Sequence, residues 1–253
     1  MARDGSGSVS NIYRSHVNNG SPITSFPFTI SFWYRTPSVI GDGGVISWGD
    51  STLAPNSGFY IEDYLGSFYV TSYLNGSNDT SNFGAESIWD NMNIHMIYSC
   101  ASSTSRFFSA NGTIKNFTAS KTVQATADRW GIGGLVSNLT PSNAMATGHY
   151  VSEIAIWNTA LDSGDDITSL YTNAMSPLLV KPGNLVTYCP LNESGDTCID
   201  WVGGRHLEKV GSGMTFTEQD VITQRRRRSF SIFGPPGEAA ASSYNSIFHG
   251  SVF

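Results

Sequence analysis

Charge is scarce in this chain: Asp, Glu, Lys and Arg together make up 13% of its 253 residues. A shortage of Lys and Glu beside abundant Ser, Thr, Asn and Gly removes the best helix formers, so a helical bundle is excluded. No stretch approaches the ~20 consecutive apolar residues of a membrane span. The opening Met1-Ala2-Arg3-Asp4-Gly5 leads into polar residues. A secretory signal would continue into an apolar run, so synthesis in a cytoplasm is expected. Cysteines number three and cannot all pair within the chain. Cys189 and Cys198 are near enough in sequence to bridge a loop, and Cys100 falls in a strand-like run; the alternative is three reduced thiols. The five histidines, His16, His95, His149, His206 and His249, show no metal-ligand spacing. No Ser-His-Asp or Cys-His arrangement is evident.

What is present favours strands. There are 26 Gly, 14 Phe, 11 Tyr and 6 Trp, a composition suited to pleated strands joined by tight turns. All-β sandwiches of this length often form one unit. The formal net charge is −6 and is unevenly spread. Residues 221–253 hold four arginines and one glutamate, which sets them at +3 and leaves −9 on the rest. An acidic body argues against nucleic-acid binding, and a basic tail suggests a separate partner for it.

Phe28–Arg35 reads FTISFWYR, with Phe28, Ile30, Phe32 and Tyr34 on one face and Thr29, Ser31, Trp33 and Arg35 on the other. That period of two predicts a strand. Further strands are expected over 44–48, 58–62, 66–74, 94–101, 106–110, 113–118, 129–133, 150–157 and 185–191, with a polar loop over 76–93. Asn111-Gly112 between two such runs predicts a hairpin, since both residues tolerate the positive φ of a type I′ turn. Ile167, Leu170, Tyr171, Ala174 and Met175 recur at helical spacing within 162–175. Asp162, Asp165 and Asp166 stand near its start and Pro177 ends it, so one short helix is predicted. The reading divides the chain into a body, 1–220, and an extended arm, 221–253, rich in arginines and aromatics.

Several blocks resemble the concanavalin A-like, laminin-G-like family in their order. They are the opening Met1-Ala2-Arg3-Asp4 with Pro22 and Phe26-Pro27, then FTISFWYR. Trp89, His95-Met96-Ile97-Tyr98, Arg106-Phe107-Phe108 and Asn111-Gly112 follow, and then Gly131-Ile132-Gly133-Gly134, Gly148 and Glu153 to Leu161 before the helix ending in Leu170-Tyr171. The resemblance spans residues 3 to 217. It implies an antiparallel two-sheet jelly-roll sandwich, all-β, with one short helix and the C-terminal arm outside it. The short opening is similar to viral members of the family, which implies a phage virion structural protein.

The glucanase branch of that fold takes its two carboxylates from one strand as E-x-D-x-x-E, and a retaining mechanism needs such a pair. Here the strand reads Glu153-Ile154-Ala155-Ile156-Trp157, with Ala155 in the second position. No enzyme is expected, and no catalytic, cofactor or metal residue is assigned. Loop carboxylates and amides at Asp42, Asp50, Asp63, Asp79, Asn75, Asn78 and Asn82 could serve calcium by type, yet none follows a calcium-loop spacing. Trp48, Asp50, Tyr73 and Asn75 are candidate glycan contacts by type, whereas Trp33, Trp130 and Trp157 read as core. Arg225, Arg226, Arg227 and Arg228, with Phe230, Phe233, Phe248 and Phe253, are candidate docking residues. The arginine run reads as docking onto an acidic protein, as a nucleic-acid patch or as a solvated charge run. The expected function is a non-enzymatic capsid decoration or cement protein, located in the virion and anchored by the arm to capsid or other virion proteins, as a homo-oligomer and without membrane contact. The alternative is a glycan-binding adhesin of a tail or head fibre that contacts host-surface glycans.

Overall fold

The structure is a computed structural model. It describes residues 2–4, 12–14, 20–35, 42–50, 58–64, 67–74, 77–85, 92–118, 126–134, 136, 144–145, 148–192, 197–210 and 215–217. The strands are β1 (Ala2–Asp4), β2 (Ile12–Arg14), β3 (Phe28–Arg35), β4 (Asp42–Gly49), β5 (Gly58–Tyr64), β6 (Ser67–Leu74), β7 (Ser77–Ala85) and β8 (Asn93–Cys100). They continue as β9 (Arg106–Ala110), β10 (Thr113–Phe117), β11 (Arg129–Ile132), β12 (Tyr150–Trp157), β13 (Leu185–Cys189), β14 (Thr197–Cys198), β15 (Leu207–Val210) and β16 (Thr215–Thr217).

They form two antiparallel sheets. The first runs β10-β9-β8-β3-β12-β1-β16, with β13 beside β1 along the same edge of β12. The second runs β14-β15-β2-β11-β4-β5-β6-β7. This is the expected all-β sandwich. Alternation on β3 sends Phe28, Ile30, Phe32 and Tyr34 into the space between the sheets. There they meet Trp48, Phe59, Phe68, Ile94, Met96, Tyr98 and Trp130. The rings interlock, Trp48 stacking on Phe59 at 4.4 Å and Phe28 meeting Trp48 edge-on at 5.9 Å.

The opposite face of β3 is buried too. Thr29, Ser31 and Trp33 are covered by a third layer built from residues 158 to 180. Thr29 Oγ1 donates to the Thr159 carbonyl and accepts from the Leu161 amide. Trp157 Nε1 donates to the Val180 carbonyl at 2.7 Å. Small hydroxyls on the strand thus satisfy the backbone of the cap, and Ile167, Leu170 and Leu161 close a second hydrophobic cluster over Ala155 and Trp157.

The hairpin forms as expected: Asn111 and Gly112 take φ of 49° and 81°, and Ala110 pairs with Thr113. Two expectations are corrected. The predicted helix over 162–175 shrinks to α1 (Asp165–Ile167) followed by a π-helical turn over Thr168–Thr172. Ala174 has φ of 48°, which ends the winding before Pro177 is reached. The predicted polar loop over 76–93 contains β7, a strand of mostly polar sequence that pairs by its backbone along the whole of β6 and sends Phe83 against the core. The three cysteines are free, buried thiols. Among the described residues no helix is long and apolar enough to cross a membrane.

Candidate functional site

The structure separates the glycan candidates. Trp48 is fully buried in the inter-sheet core, so no face of its indole can meet a sugar, and that expectation is corrected. Asp50 is buried as well, 4% exposed. Tyr73 lies on β6, its backbone pairing with Gly58 and Asn78. Asn75 lies outside the described residues, as do the arm candidates Arg225, Arg226, Arg227, Arg228, Phe230, Phe233, Phe248 and Phe253. Of the calcium candidates, Asp63 sits in β5 and is 1% exposed, where it accepts from the Tyr34 hydroxyl at 2.9 Å and faces His149 Nδ1 at 3.3 Å. Asp42, Asn78, Asp79 and Asn82 lie in strands. Among the described residues no three His, Cys, Asp or Glu side chains come together to hold a metal.

A different aromatic stands out. Trp201 is 54% exposed, with Ile199 and Val202 exposed beside it. It lies on the turn between β14 and β15, and one carboxylate builds that turn. Asp200 is buried and accepts from the amides of Tyr188, Val202, Gly203 and Arg205 at 2.9 to 3.1 Å. The Trp201 amide donates to the Tyr188 carbonyl at 2.8 Å. Gly203 is required by close approach, since a Cβ there would stand 2.3 Å from the Val186 carbonyl oxygen. The indole is therefore held on a stiff ledge with its edge-on neighbour Tyr188 at 5.9 Å.

Tyr188 links this ledge to a second feature. Its hydroxyl donates to Glu153 Oε2 at 2.6 Å. Glu153 is the extra residue of a bulge in β12, where Ser152 pairs with Trp33 but Ala155 pairs with Ser31. Bulges re-aim side chains, and this one turns a carboxylate outward. Glu153 has φ of 53°, a left-handed conformation that costs a non-glycine residue about 1–3 kcal/mol. It lines a pocket with Ser31, Trp33, His95, Ala174 and Met175. Ala174 is also left-handed, so two lining residues carry backbone strain. His95 packs against Trp33 at 4.8 Å and stacks parallel to Tyr171, while its Nε2 shares a hydrogen bond of 2.9 Å with the Ser31 hydroxyl. The pocket has room for a single water-sized group, about 10 Å³. No second carboxylate lines it.

The Trp201 turn was not singled out from the sequence; Glu153 was, as the first carboxylate position of a glucanase-like strand, but not the pocket around it. Asp200-Trp201-Val202-Gly203-Gly204 does carry a turn signal, an Asx residue followed by paired glycines, from which a tryptophan on a surface turn could be read.

No protein-family model matches the sequence, and no curated protein matches it. Solved structures do. The chain is similar to the CBM40 of an IT-sialidase from Ruminococcus gnavus bound to α2,3-sialyllactose, with TM-score 0.52, 11% identity, and coverage of 68% of this chain and 98% of that one. The same CBM40 described without that ligand gives TM-score 0.51 at the same identity. The binding domain of botulinum neurotoxin DC in complex with SialylT gives TM-score 0.44 at 16% identity. The chain covers 36% of that domain, about a third of its length. At such identities the CBM40 likeness establishes the β-sandwich fold.

Proposed function

We propose that this chain is a non-catalytic glycan-binding domain of the adhesin type, with Trp201 as the surface on which a sugar ring stacks. The observation that carries the reading is a half-exposed indole on a turn held by hydrogen bonds that four backbone amides, three of them on the turn, donate to a buried carboxylate. An aromatic fixed in place offers contact area with little ordering cost, and exposed apolar patches mark binding surfaces. Polar groups stand close by, as the rim of a sugar site requires: Glu153 through Tyr188, with Arg205 and His206 on the same turn. The match to a CBM40 along nearly its full length supports a carbohydrate ligand.

The test is a glycan array with the intact chain, repeated with Trp201→Ala. A signal that the substitution removes, with unchanged melting temperature, is the expected result. An array with no signal, or binding that Trp201→Ala leaves intact, would overturn the proposal.

The arm carries a second part of the proposal, attachment of the domain to a larger assembly such as a virion. Its support is the charge split, +3 on residues 221–253 against −9 on the rest, together with the aromatics scattered along that stretch. Segments of this composition bind by ordering on a partner surface.

A further inference from the structure

The pocket beside Glu153 is not explained by stacking on Trp201, and several independent features meet there. A bulge, two left-handed non-glycine residues and a π-helical turn surround one small opening in the third layer. Strained backbone and π-turns both concentrate at functional sites. The wall has a definite chemistry. It offers one carboxylate, the indole of Trp33, the imidazole of His95 with its bonded Ser31 hydroxyl, and the thioether of Met175. Neither lysine nor arginine lines it. A carboxylate among π-faces suits a cation, and the room available suits a group the size of water.

We propose that this pocket receives a primary ammonium group, so that the glycan bound by the domain carries a free amino sugar next to the unit stacked on Trp201. The inference rests on the glycan-binding reading. Its geometry comes from Tyr188, whose ring touches the Trp201 platform while its hydroxyl holds Glu153 Oε2. Tyr188 thus links the two features, and the proposal places neighbouring sugars of one chain on them. The ammonium would donate to Glu153 and lie against Trp33. An N-acetyl group at the same carbon would lose the charge and exceed the space.

Calorimetric titration of the full chain in mildly acidic buffer tests this. The probes are a β1,4-linked glucosamine disaccharide and the same disaccharide fully N-acetylated. The free amine is expected to bind about tenfold more tightly, the effect of one charge-assisted contact. Glu153→Gln keeps an acceptor for Tyr188 and should reduce that preference to about twofold or less, whereas Trp201→Ala should weaken both ligands. The wild-type comparison stands even if the Glu153 variant folds poorly. Equal or tighter binding of the acetylated form would overturn the inference and leave the glycan reading intact, provided that its binding still depends on Trp201. A preference that persists in Glu153→Gln would also overturn it. A lysine dipeptide that competes as well as the amino sugar would show the site to be a general amine pocket, against the proposal. Absence of binding to any oligosaccharide would remove both readings.

Discussion

Two tryptophans set the contrast at the scale of single residues. Trp48 fills the space between the sheets against Phe28 and Phe59, and Trp201 stands in solvent. Trp48→Ala leaves a large cavity and is expected to destabilise the fold by about 3–5 kcal/mol. Trp201→Ala should change stability by no more than about 0.5 kcal/mol and act on binding alone. Thermal melts of the two variants check both values. Asp200 belongs with the core in this respect although it is polar. Asp200→Ala strips four amides of their acceptor, so a loss of about 3 kcal/mol is expected, accompanied by loss of glycan binding because Trp201 is released. The sequence separates these roles only in part. The alternation through Phe28–Arg35 marks which side chains face inward, but Trp48-Gly49-Asp50 and Asp200-Trp201 have the same residue types, and only the pairing of β4 with β5 and β11 shows that Trp48 is enclosed.

Elements were legible where local chemistry decides them. Asn111-Gly112 defines its hairpin because two adjacent positive φ values suit few other pairs, and the structure agrees. β7 was hidden because Ser77–Ala85 is bound to β6 by its backbone and shows no apolar alternation. The shortened α1 was hidden for another reason. Helical spacing of Ile167, Leu170 and Ala174 only requires that one side face the sheet, and a π-turn followed by a left-handed residue meets that requirement as well as a regular helix would. The turn bearing Trp201 gives the prediction at this scale. Gly203→Ala would place a Cβ against the Val186 carbonyl and push the turn off β13. Glycan affinity should fall at least tenfold while the far-ultraviolet circular dichroism spectrum stays that of the wild type. Wild-type affinity in this variant would mean that the rigidity of the turn is irrelevant to binding.

The described residues form a sandwich with a third layer on one face, and a tyrosine enclosed between the sheets makes its stability depend on pH. That tyrosine is Tyr98. Burial pushes its hydroxyl well above the usual tyrosine range, and the nearby Cys100 adds to the shift; the positive charge of Arg106, which also donates a hydrogen bond to it, opposes it. A folded value above the unfolded one means that the stabilisation is complete below the ordinary value of about 10 and is lost as pH rises past it. Tyr98→Phe should therefore flatten the fall in melting temperature between neutral and strongly alkaline buffer; an unchanged slope would place the alkaline transition elsewhere. The proposed arm, residues 221–253, is expected to be separable. β1 and β16 pair at the edge of the first sheet, and β16 ends at Thr217, so every described strand lies before residue 221. Removing residues 221–253 takes away no described strand pairing and no member of the two hydrophobic clusters. The shortened chain is expected to melt within about 2 °C of the full chain, since a change of 1 kcal/mol corresponds to only a few degrees in a domain of this size. It should keep its glycan affinity and lose attachment to whatever assembly carries it. Sedimentation of the purified carrier particle with and without the arm reads that attachment directly. Full occupancy by the shortened chain would move the docking surface onto the sandwich, and a collapse in melting temperature would make residues 221–253 part of the fold.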